Sequence, residues 1–547
     1  MIATPFPNQP PPYAGRNLFD TDVALRDAVA REGAGRGTIE LTQWGATLGS
    51  ADTLALADAA NRNPPQLRTY DPSGERIDAV EFHPAWHALM KAATGAGEHC
   101  APWVEPGRGA QVMRAAMYFL HAQVENGTQC PLTMTYASVP VLARHAASLP
   151  ALAEAWLPKV LARDYDPRLL PIADKRAALI GMGMTERQGG SDVRANRTRG
   201  QRTADGAWRI TGHKWFFSAP QCDAHLVLAQ LADGVTCFLL PRILPDGSRN
   251  AVRINRLKDK LGNRSNASSE VEFDDALAWL IGDPGRGVAT ILEMVQHTRL
   301  DCIIGSAGMM RGALAQALHH AAHRVVFGRS LVEQPLMMSV LADLALEVEA
   351  ATALALRLAR TFEASATTAD RALARIATPA AKYWVCKRAP MVALEAMEVL
   401  GGNGYVEESP LPRLYREAPV NSIWEGSGNV ICLDVMRAVR REPAAVDALL
   451  AELDDARGAD HHLDRCAEAL RAELAGLGDD AASGRRLAQT IALALAGAAL
   501  VRHAPPFVAD AYCATRLHAD MAFGGAAFGV LPASVDAASI IARSSGR

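Results

Sequence analysis

Two stretches of the sequence combine glycines with polar side chains that could do chemistry. The first, GMTERQGGSDVRA at residues 183–195, places Thr185, Glu186, Ser191 and Asp192 around two glycines. Glycine lets a backbone approach a ligand closely, and hydroxyls offer hydrogen bonds to an anion or to the edge of a ring. The pattern fits a loop that binds a cofactor, and it fits equally an ordinary glycine turn capped by Ser191 and Asp192.

A single carboxylate stands out in the second stretch, which covers residues 398–429. Glu425 lies between Trp424 and Gly426, and three further glycines occur earlier in the same stretch. In an apolar cleft, desolvation would make this carboxylate a better proton acceptor, and the glycines would leave room for a substrate. Glu425 is therefore a candidate general base, with a solvated carboxylate on a surface loop as the alternative.

Other polar groups carry weaker signals. His319 and His323 stand one helical turn apart, a spacing that can bind a metal, but the sequence places no third ligand nearby. A solvated helix face is the better interpretation, as it is for the histidines at 461–462, so we predict no metal site. Arg299 and Asp301 are predicted to hold neighbouring elements together rather than to catalyse.

Composition indicates a large protein of a reducing compartment. At 547 residues the chain exceeds the size of one hydrophobic core, so two to four subdomains are expected. Nine scattered cysteines without a Cys-x-x-Cys pair are typical of reduced thiols. The proline-rich start lacks the apolar core of a signal peptide, and the longest aliphatic run, residues 491–501, is shorter than the ~20 residues of a membrane span. We therefore expect a soluble, cytoplasmic protein.

Changes in periodicity along the chain predict which elements carry these motifs. Apolar residues at helical spacing predict helices over 50–165 and again over 286–440. Between them, from about residue 180 to 285, short apolar runs broken by glycine-rich turns predict strands. The predicted fold is α+β and mainly helical. We divide it into an N-terminal extension at 1–40, a helical domain at 41–180, a β-domain at 181–285, a helical bundle at 286–440 and a helical C-terminal extension at 441–547.

Together the two stretches resemble the two signatures of the acyl-CoA dehydrogenase family. GMTERQGGSDVRA fits the first signature, and the spacing from Glu398 through three glycines to Glu417 fits the second. KDKLGNRSNASSEVEFDD, residues 258–275, resembles the closing β-domain strands of the family, and HRVVFGRS, residues 323–330, resembles a family helix. Runs such as GHKWFFSAPQCDAHLVLAQ and the overall length place the resemblance in the AidB branch, which is linked to the response to DNA alkylation.

The resemblance implies a homotetramer that binds FAD, with a helical N-terminal domain, a middle β-barrel and a C-terminal four-helix bundle. It gives Thr185 a hydrogen bond to the flavin ring and Ser191 one to the pyrophosphate. It also implies that Phe216 packs on the flavin and that Ser218 bonds its N5 edge. The other cofactor-binding residues that it implies are Met182, Met184, Gly190, Phe217, Arg324, Phe327, Gln334, Gly401, Gly402, Gly404, Ile423, Trp424, Ser427 and Asn429.

Some of these residues are implied to bind the FAD of a neighbouring subunit. Arg324 and Phe327 match residues with that role, although Gln334 follows Arg324 by ten positions where the family has eleven. The glycines at 401–404 match the loop beside the partner's adenosine. These assignments imply at least a dimer.

The resemblance places Glu425 at the position of the catalytic base. An α,β-dehydrogenation of an acyl-CoA removes a proton from carbon 2 and a hydride from carbon 3. Trp424 stands where many relatives have tyrosine, and its bulk could shorten or reshape the acyl pocket, so Trp424 does not by itself define the substrate. The resemblance to the AidB branch implies weak dehydrogenation of a short branched acyl-CoA, of the isovaleryl type. A metabolic acyl-CoA dehydrogenase without a role on DNA is the alternative to an AidB-type protein with weak dehydrogenation.

The AidB branch is also linked to double-stranded DNA through its C-terminal domain. Here residues 441–547 hold ten arginines and no lysine against fourteen acidic residues. The net charge of the whole chain, −3, likewise gives no reason to expect a polyanion. We therefore predict weak, sequence-independent binding that salt abolishes. The candidate DNA-binding residues are Arg437, Arg440, Arg441, Arg485, Arg486 and Arg516.

Overall fold

The computed structural model describes residues 8–204, 206–478, 481–517 and 527–546. Outside these ranges lie residues 1–7 of the predicted N-terminal extension, residue 205 of the predicted β-domain, and residues 479–480, 518–526 and 547 of the predicted C-terminal extension. The α-helices are α1 Val23–Arg31, α2 Thr38–Leu48, α3 Ala51–Arg62, α4 Pro84–Gly95, α5 Ala101–Val104, α6 Ala110–Ala122, α7 Gln129–Arg144, α8 Pro150–Val160, α9 Gly287–His323, α10 Pro335–Arg360, α11 Thr368–Val399, α12 Gly402–Tyr405, α13 Leu411–Glu417, α14 Gly428–Arg441, α15 Pro443–Asp454, α16 His461–Ala475, α17 Gly484–His503, α18 Pro506–Arg516 and α19 Ala537–Ser544.

Most of the strands belong to one sheet in the middle of the chain. The strands are β1 Gln66–Tyr70, β2 Arg76–Glu81, β3 Ile180–Gly183, β4 Arg199–Arg202, β5 Trp208–Ser218, β6 Ala224–Leu231, β7 Gly234–Pro241, β8 Val252–Leu257, β9 Ser268–Ile281, β10 Val325–Val326 and β11 Arg329–Ser330.

Two compact units make up the chain. The barrel unit comprises residues 55–106 and 125–298, and the helical unit comprises residues 1–54, 107–124 and 299–547, as far as the structure describes them.

A closed sheet forms the core of the barrel unit. Its strand order is β3-β6-β4-β5-β9-β7, β8 pairs with β9, and β6 also pairs with β7, which closes the path between these two strands. Along β9 the side chains alternate: Val271 and Phe273 are buried, while Glu272 and Asp274 are exposed. The closed path leaves few unpaired strand edges, and its interior is filled by apolar side chains such as Ile210.

Two long helices, α10 and α11, organise the helical unit. Helix α11 packs against α14, α15 and α17, and α10 packs against α17 and α19. The C-terminal extension is therefore attached to the bundle along its apolar faces. The predicted mainly helical α+β fold, with a middle β-barrel and a helical C-terminal part, is confirmed.

Two local predictions were wrong. The stretch 50–165 is not helical throughout, because β1 and β2 form an antiparallel hairpin at 66–81. The Asp71 carboxylate accepts hydrogen bonds from the backbone N–H groups of Ser73 and Glu75, which stabilises the turn. The stretch 323–330 is not a helix either, since α9 ends at His323 and β10 and β11 form a short hairpin.

Candidate active site

A buried ion pair fixes residues 183–195, which we call the signature loop. The Glu186 carboxylate lies 2.9 Å from the Lys214 ammonium on β5, and both side chains are 0% exposed. Glu186 also accepts hydrogen bonds from the backbone N–H groups of Arg197 and Thr198, at 2.6 and 3.1 Å. Burial raises the pKa of Glu186, but the Lys214 cation and the N–H donors outweigh it and hold this pKa at about 2. Glu186 is therefore an ionised residue that joins the loop to the barrel.

Thr185 and Gly190 lie against each other within the signature loop. The Trp215 backbone N–H donates to the Thr185 carbonyl at 2.9 Å, which joins the loop to β5. A Cβ atom at position 190 would collide with the Thr185 hydroxyl, so only glycine keeps the space beside that hydroxyl. Ser191 is exposed. The loop thus presents two hydroxyl groups and space for a ligand that approaches the backbone.

Strand β5 carries a bulge where the predicted cofactor-binding aromatics lie. The pairing register with β9 shifts between Lys214 and Phe217, which breaks the simple alternation of side chains. Phe216 is 54% exposed, whereas Phe217 is fully buried and stacks on the His225 ring with centroids 3.9 Å apart. Phe217 therefore belongs to the barrel core, and its ring is not available to a ligand. Ser218 is half-buried.

Lys258 contacts the exposed aromatic from the side of β8. Its ammonium lies 4.5 Å from the centroid of the Phe216 ring and 4.0 Å from that of Trp215, and it forms an ion pair with Glu270 at 2.7 Å. A cation held over an aromatic face restricts the ring. Sequence reasoning did not find this residue.

Of the methionines predicted for the cofactor site, Met184 is half-buried and Met182 is buried.

In the helical unit, Glu425 has a left-handed backbone with φ 58°. This conformation costs a residue other than glycine about 1–2 kcal/mol, and residues held in it are concentrated at functional sites. Arg299 Nε donates to the Glu425 carbonyl at 3.0 Å, and Arg299 also forms an ion pair with Asp434 at 2.7 Å. The Glu425 side chain is half-buried.

Lys382 of α11 binds the same loop through three carbonyl groups. Its ammonium donates to the carbonyls of Asn421, Trp424 and Gly426 at 2.9, 2.9 and 3.0 Å. Lys382 is 2% exposed, so its three hydrogen bonds replace water completely. Together with Arg299, Lys382 thus binds the backbone on both sides of Glu425. Sequence reasoning missed Lys382, because it lies in the middle of a long helix and belongs to no motif.

The Trp424 indole is fixed by a hydrogen-bond chain. Trp424 Nε1 donates to Asn421 Oδ1 at 2.9 Å, and the Asn421 amide in turn donates to the Ser306 hydroxyl at 3.1 Å. Because the amide group of Asn421 is bonded at both ends, the ring next to Glu425 has a defined orientation.

The predicted bracing role of Arg299 and Asp301 agrees with their contacts. Arg299 bonds the Glu425 carbonyl, as described above, and Asp301 forms a fully buried ion pair with Arg114 of α6. The Arg114 guanidinium also lies over the Tyr118 ring, 4.7 Å from its centroid. Arg299 and Asp301 therefore each connect α9 to another element of the helical unit.

The predicted contacts to a neighbouring subunit lie on the β10–β11 hairpin and just after it. Phe327, at its tip, is 95% exposed and has φ 52°. Arg324 donates to the Asn8 carbonyl at 2.7 Å, and Gln334 donates to the Val326 carbonyl at 2.8 Å. The hairpin thus displays an aromatic ring that nothing in its own chain covers within the described residues.

The other predicted cofactor residues of the helical unit flank the loop of Glu425 or lie at the end of α11. Gly401 has φ 59°, as glycine permits, and Gly402 and Gly404 begin and continue α12. Ile423 is 64% exposed. Two residues at the start of α14, Ser427 and Asn429, are also exposed.

The six arginines predicted to contact DNA have different environments. Arg516 is 3% exposed and forms ion pairs with Asp343 and Glu347 of α10, so it cannot reach a phosphate, and the prediction for it was wrong. Arg486 pairs with Glu473 at 3.0 Å. Five of the six are exposed at the end of α14 or the start of α17, namely Arg437, Arg440, Arg441, Arg485 and Arg486.

The paired histidines are engaged by their own chain. His319 Nε2 bonds the Pro11 carbonyl at 2.7 Å, and His323 Nδ1 bonds the His319 carbonyl at 2.8 Å. Among the residues that the structure describes, no three His, Cys, Asp or Glu side chains lie together in a way that could hold a metal ion. In the same residues, no helix is long and apolar enough to cross a bilayer.

Comparison with known proteins identifies the family. Residues 8–167 match the adaptive response protein AidB N-terminal domain, residues 181–276 the acyl-CoA dehydrogenase middle domain, and residues 285–440 the acyl-CoA dehydrogenase C-terminal domain. AidB of Escherichia coli (strain K12) is 51% identical over 511 residues, which cover 93% of this chain and 94% of that protein. The chain belongs to the acyl-CoA dehydrogenase family.

Solved structures of other acyl-CoA dehydrogenases share this fold. ACDH-11 of Caenorhabditis elegans, solved in complex with C11-CoA, is 27% identical with a TM-score of 0.85, and 94% of each chain is covered. A glutaryl-CoA dehydrogenase of Mycobacterium smegmatis, solved in complex with FADH2, is 20% identical with a TM-score of 0.55, over 71% of this chain and 93% of that one. The second likeness concerns the fold alone. Within the family, the chain resembles the AidB proteins in its N-terminal domain.

Proposed function

We propose that the protein binds FAD and removes two hydrogens from the α and β carbons of an acyl-CoA, with Glu425 as the base. The observation that carries this proposal is the backbone of Glu425. One carboxylate is held in a costly left-handed conformation, and two cationic side chains, Arg299 and Lys382, bind the carbonyls around it. Strain that the surrounding structure maintains in this way is expected at a reacting group.

The signature loop and β5 fit the cofactor. Gly190 keeps the Thr185 hydroxyl uncovered, so Thr185 is suited to bond the flavin ring, and Ser191 and the neighbouring backbone N–H groups suit the pyrophosphate. The exposed ring of Phe216 suits the face of the flavin, and Ser218 its N5 edge. FAD, when bound, supplies the acceptor for the hydride that leaves carbon 3.

The chain's own residues then handle the proton. The Glu425 carboxylate takes the proton from carbon 2 of the acyl group, and the electron pair of that C–H bond becomes the new C2–C3 double bond. Backbone N–H donors near the thioester carbonyl would stabilise the negative charge that develops on its oxygen. The fixed Trp424 indole fills space beside the base and favours a short branched acyl group, of the isovaleryl type.

Several finer features belong to the same proposal. The exposed Phe327 hairpin supports assembly into a homotetramer in which neighbouring subunits complete each other's FAD sites. A cytoplasmic location agrees with nine cysteines that are all free. The match of residues 8–167 to the N-terminal domain of the adaptive response protein AidB supports a role in such a response, and we propose DNA alkylation as its trigger.

Weak binding of double-stranded DNA by the C-terminal extension is a separate proposal. It is supported by five exposed arginines at the end of α14 and the start of α17, two helices that pack against each other. It is limited by the net negative charge of residues 441–547.

An anaerobic titration of the purified protein with acyl-CoAs tests the main proposal. The panel holds butyryl-, isobutyryl-, isovaleryl-, octanoyl- and undecanoyl-CoA, and the bleaching of the flavin absorbance reports reduction. We expect the fastest bleaching with a short branched acyl group. A flavin that none of these thioesters bleaches would refute dehydrogenation, and a protein that takes up no FAD on reconstitution would refute the cofactor assignment.

A further inference from the structure

Lys382 is a buried cation whose three hydrogen bonds all go to one loop. Its three N–H donors are bonded to the carbonyls of Asn421, Trp424 and Gly426. All three acceptors are backbone carbonyl oxygens, and none is a carboxylate. Burying a lysine without a carboxylate partner is costly, and a helix of this length would pack as well with an apolar residue there. The burial therefore calls for a role beyond packing.

The three carbonyls bracket the strained residue. Asn421 and Trp424 precede Glu425, and Gly426 follows it, so one ammonium group fixes the chain on both sides of the left-handed turn. Without these bonds, the backbone at 425 could relax to the negative φ that residues other than glycine prefer. Such a relaxation would turn the carboxylate away from its present direction.

Arg299 does not duplicate this role. Its hydrogen bond to the loop goes to the Glu425 carbonyl, and its charge is compensated by Asp434, which also accepts from Arg375 at 3.0 Å. Lys382 and Glu425 both act on one neighbouring thiol. Burial raises the pKa of the Cys302 thiol well above its usual value, and the charges of both Lys382 and Glu425 act on that thiol.

We propose that Lys382 is the positioning residue of the catalytic base, holding the 421–426 loop so that the Glu425 carboxylate points at the substrate. The catalytic part of this inference rests on the proposed function, in which Glu425 is the base. The geometry of the loop can be tested without it.

The test compares Lys382→Met with a matched control, Arg371→Met, which removes an exposed cation from the same helix. For Lys382→Met we expect a fall of about 10²-fold in the rate of flavin reduction, because misplacing a reacting group by about 1 Å costs that much. The FAD content and the dissociation constant for the acyl-CoA should stay within two-fold of the wild type. The control should match the wild type in all three quantities.

Hydrogen–deuterium exchange supplies a readout that does not depend on the reaction. In Lys382→Met, the peptide covering residues 421–427 should exchange at least ten-fold faster, while peptides from the barrel unit stay unchanged. Unchanged exchange of this peptide would overturn the inference, and so would an unchanged rate of flavin reduction. If none of the acyl-CoAs reduces the flavin of the wild-type protein, the proposed function fails. The exchange comparison still decides whether Lys382 holds the loop.

A second variant covers the case in which Lys382→Met does not fold. Lys382→Ala is produced and assayed with ethylammonium chloride, which can occupy the vacated space. Removing the amine by gel filtration should lower the rate of flavin reduction at constant FAD content, and adding it back should restore the rate, whereas sodium chloride should not. An equal rate with and without the amine would contradict a positioning role for the cation.

Discussion

The Lys214 ammonium and the Glu186 carboxylate lie 2.9 Å apart, and neither side chain is exposed. Glu186 follows Thr185 in the signature loop, and Lys214 precedes Phe216 and Ser218 on β5. One ion pair therefore joins the two segments that we propose to bind the flavin. Burial lowers the pKa of Lys214 to about 8, so the ammonium depends on this carboxylate to stay charged.

Glu186→Gln should lower both FAD content and thermal stability. The substitution leaves the buried Lys214 ammonium without a carboxylate, and breaking a buried pair in this way costs about 3–5 kcal/mol. Differential scanning fluorimetry and the ratio of flavin to protein absorbance would measure the two effects. Asp192→Asn, an exposed change in the same loop, is the control and should leave the melting temperature unchanged. Wild-type stability of Glu186→Gln would contradict a structural role for the pair.

The stability gap between wild type and Glu186→Gln should depend on pH. The pKa of Glu186 falls from 4.5 to about 2 on folding, so its carboxylate stabilises the fold fully above pH 4.5. That contribution is lost as the pH falls toward 2. Melting temperatures measured between pH 7 and pH 3 should therefore converge at the acid end. A gap that widens toward low pH would show that another group is responsible.

Gly190→Ala should weaken FAD binding without unfolding the barrel. The added methyl group would meet the Thr185 hydroxyl, and the loop would shift or cover the group that we propose to bond the flavin. Reconstitution of the apoprotein with FAD, followed by flavin fluorescence, would measure the dissociation constant for FAD. We expect this constant to rise about 10-fold or more, because one hydrogen bond to the flavin is lost. Gly95→Ala, where the methyl group would meet nothing, should bind FAD as the wild type does.

Glu425→Gln should abolish flavin reduction by any acyl-CoA that the protein accepts, with FAD still bound. A general base contributes about 10² to 10⁴ in rate, and the amide cannot take the proton. Stopped-flow absorbance under anaerobic conditions would give the rate of bleaching. Glu468→Gln, an exposed change in the same unit, is the control. Equal rates in Glu425→Gln and the wild type would place the base elsewhere.

Sequence alone predicted the fold well because periodicity and the two glycine-rich stretches are local signals. The order of helices, barrel and helices follows from runs of apolar residues, and the candidate base stands out beside Trp424. The hairpin at 66–81 was missed even though Asp71 and Gly74 form a recognisable turn. The apolar residues at helical spacing around this hairpin predicted a helix, and the short turn motif was given too little weight.

What the sequence could not predict depends on register and on long-range contacts. The bulge on β5 decides that Phe216 is exposed and Phe217 is buried, and it arises from the pairing with β9, more than fifty residues away. Lys382 is separated from the carbonyl groups it binds by about forty residues. The sequence predicted Arg516 as a surface cation, but in the structure it lies at the end of α18 against the carboxylates of α10. Each of these depends on tertiary packing rather than on local pattern.

The last prediction concerns DNA and its location on the protein. Arg485 and Arg486 are exposed. The hydrogen bond of Arg485 to Asn429 and the ion pair of Arg486 with Glu473 are solvated and weak, so both side chains can turn toward phosphates. In a salt series, binding of a duplex should weaken steeply, because each phosphate contact contributes about 0.9 to the slope of log affinity against log salt. Replacing both residues with alanine should lower that slope by about one to two units.

The matched control removes two other exposed arginines, Arg199 and Arg202 of β4, by the same substitution. If DNA binds at the C-terminal extension, Arg199→Ala with Arg202→Ala should leave the slope unchanged, since these residues belong to the barrel unit. If the slope of log affinity against log salt falls only in this control, the DNA site lies on the barrel unit instead. Binding that persists at high salt, or none at the lowest salt tested, would contradict weak electrostatic binding altogether, because phosphate neutralisation is the one source of affinity that the exposed arginines offer.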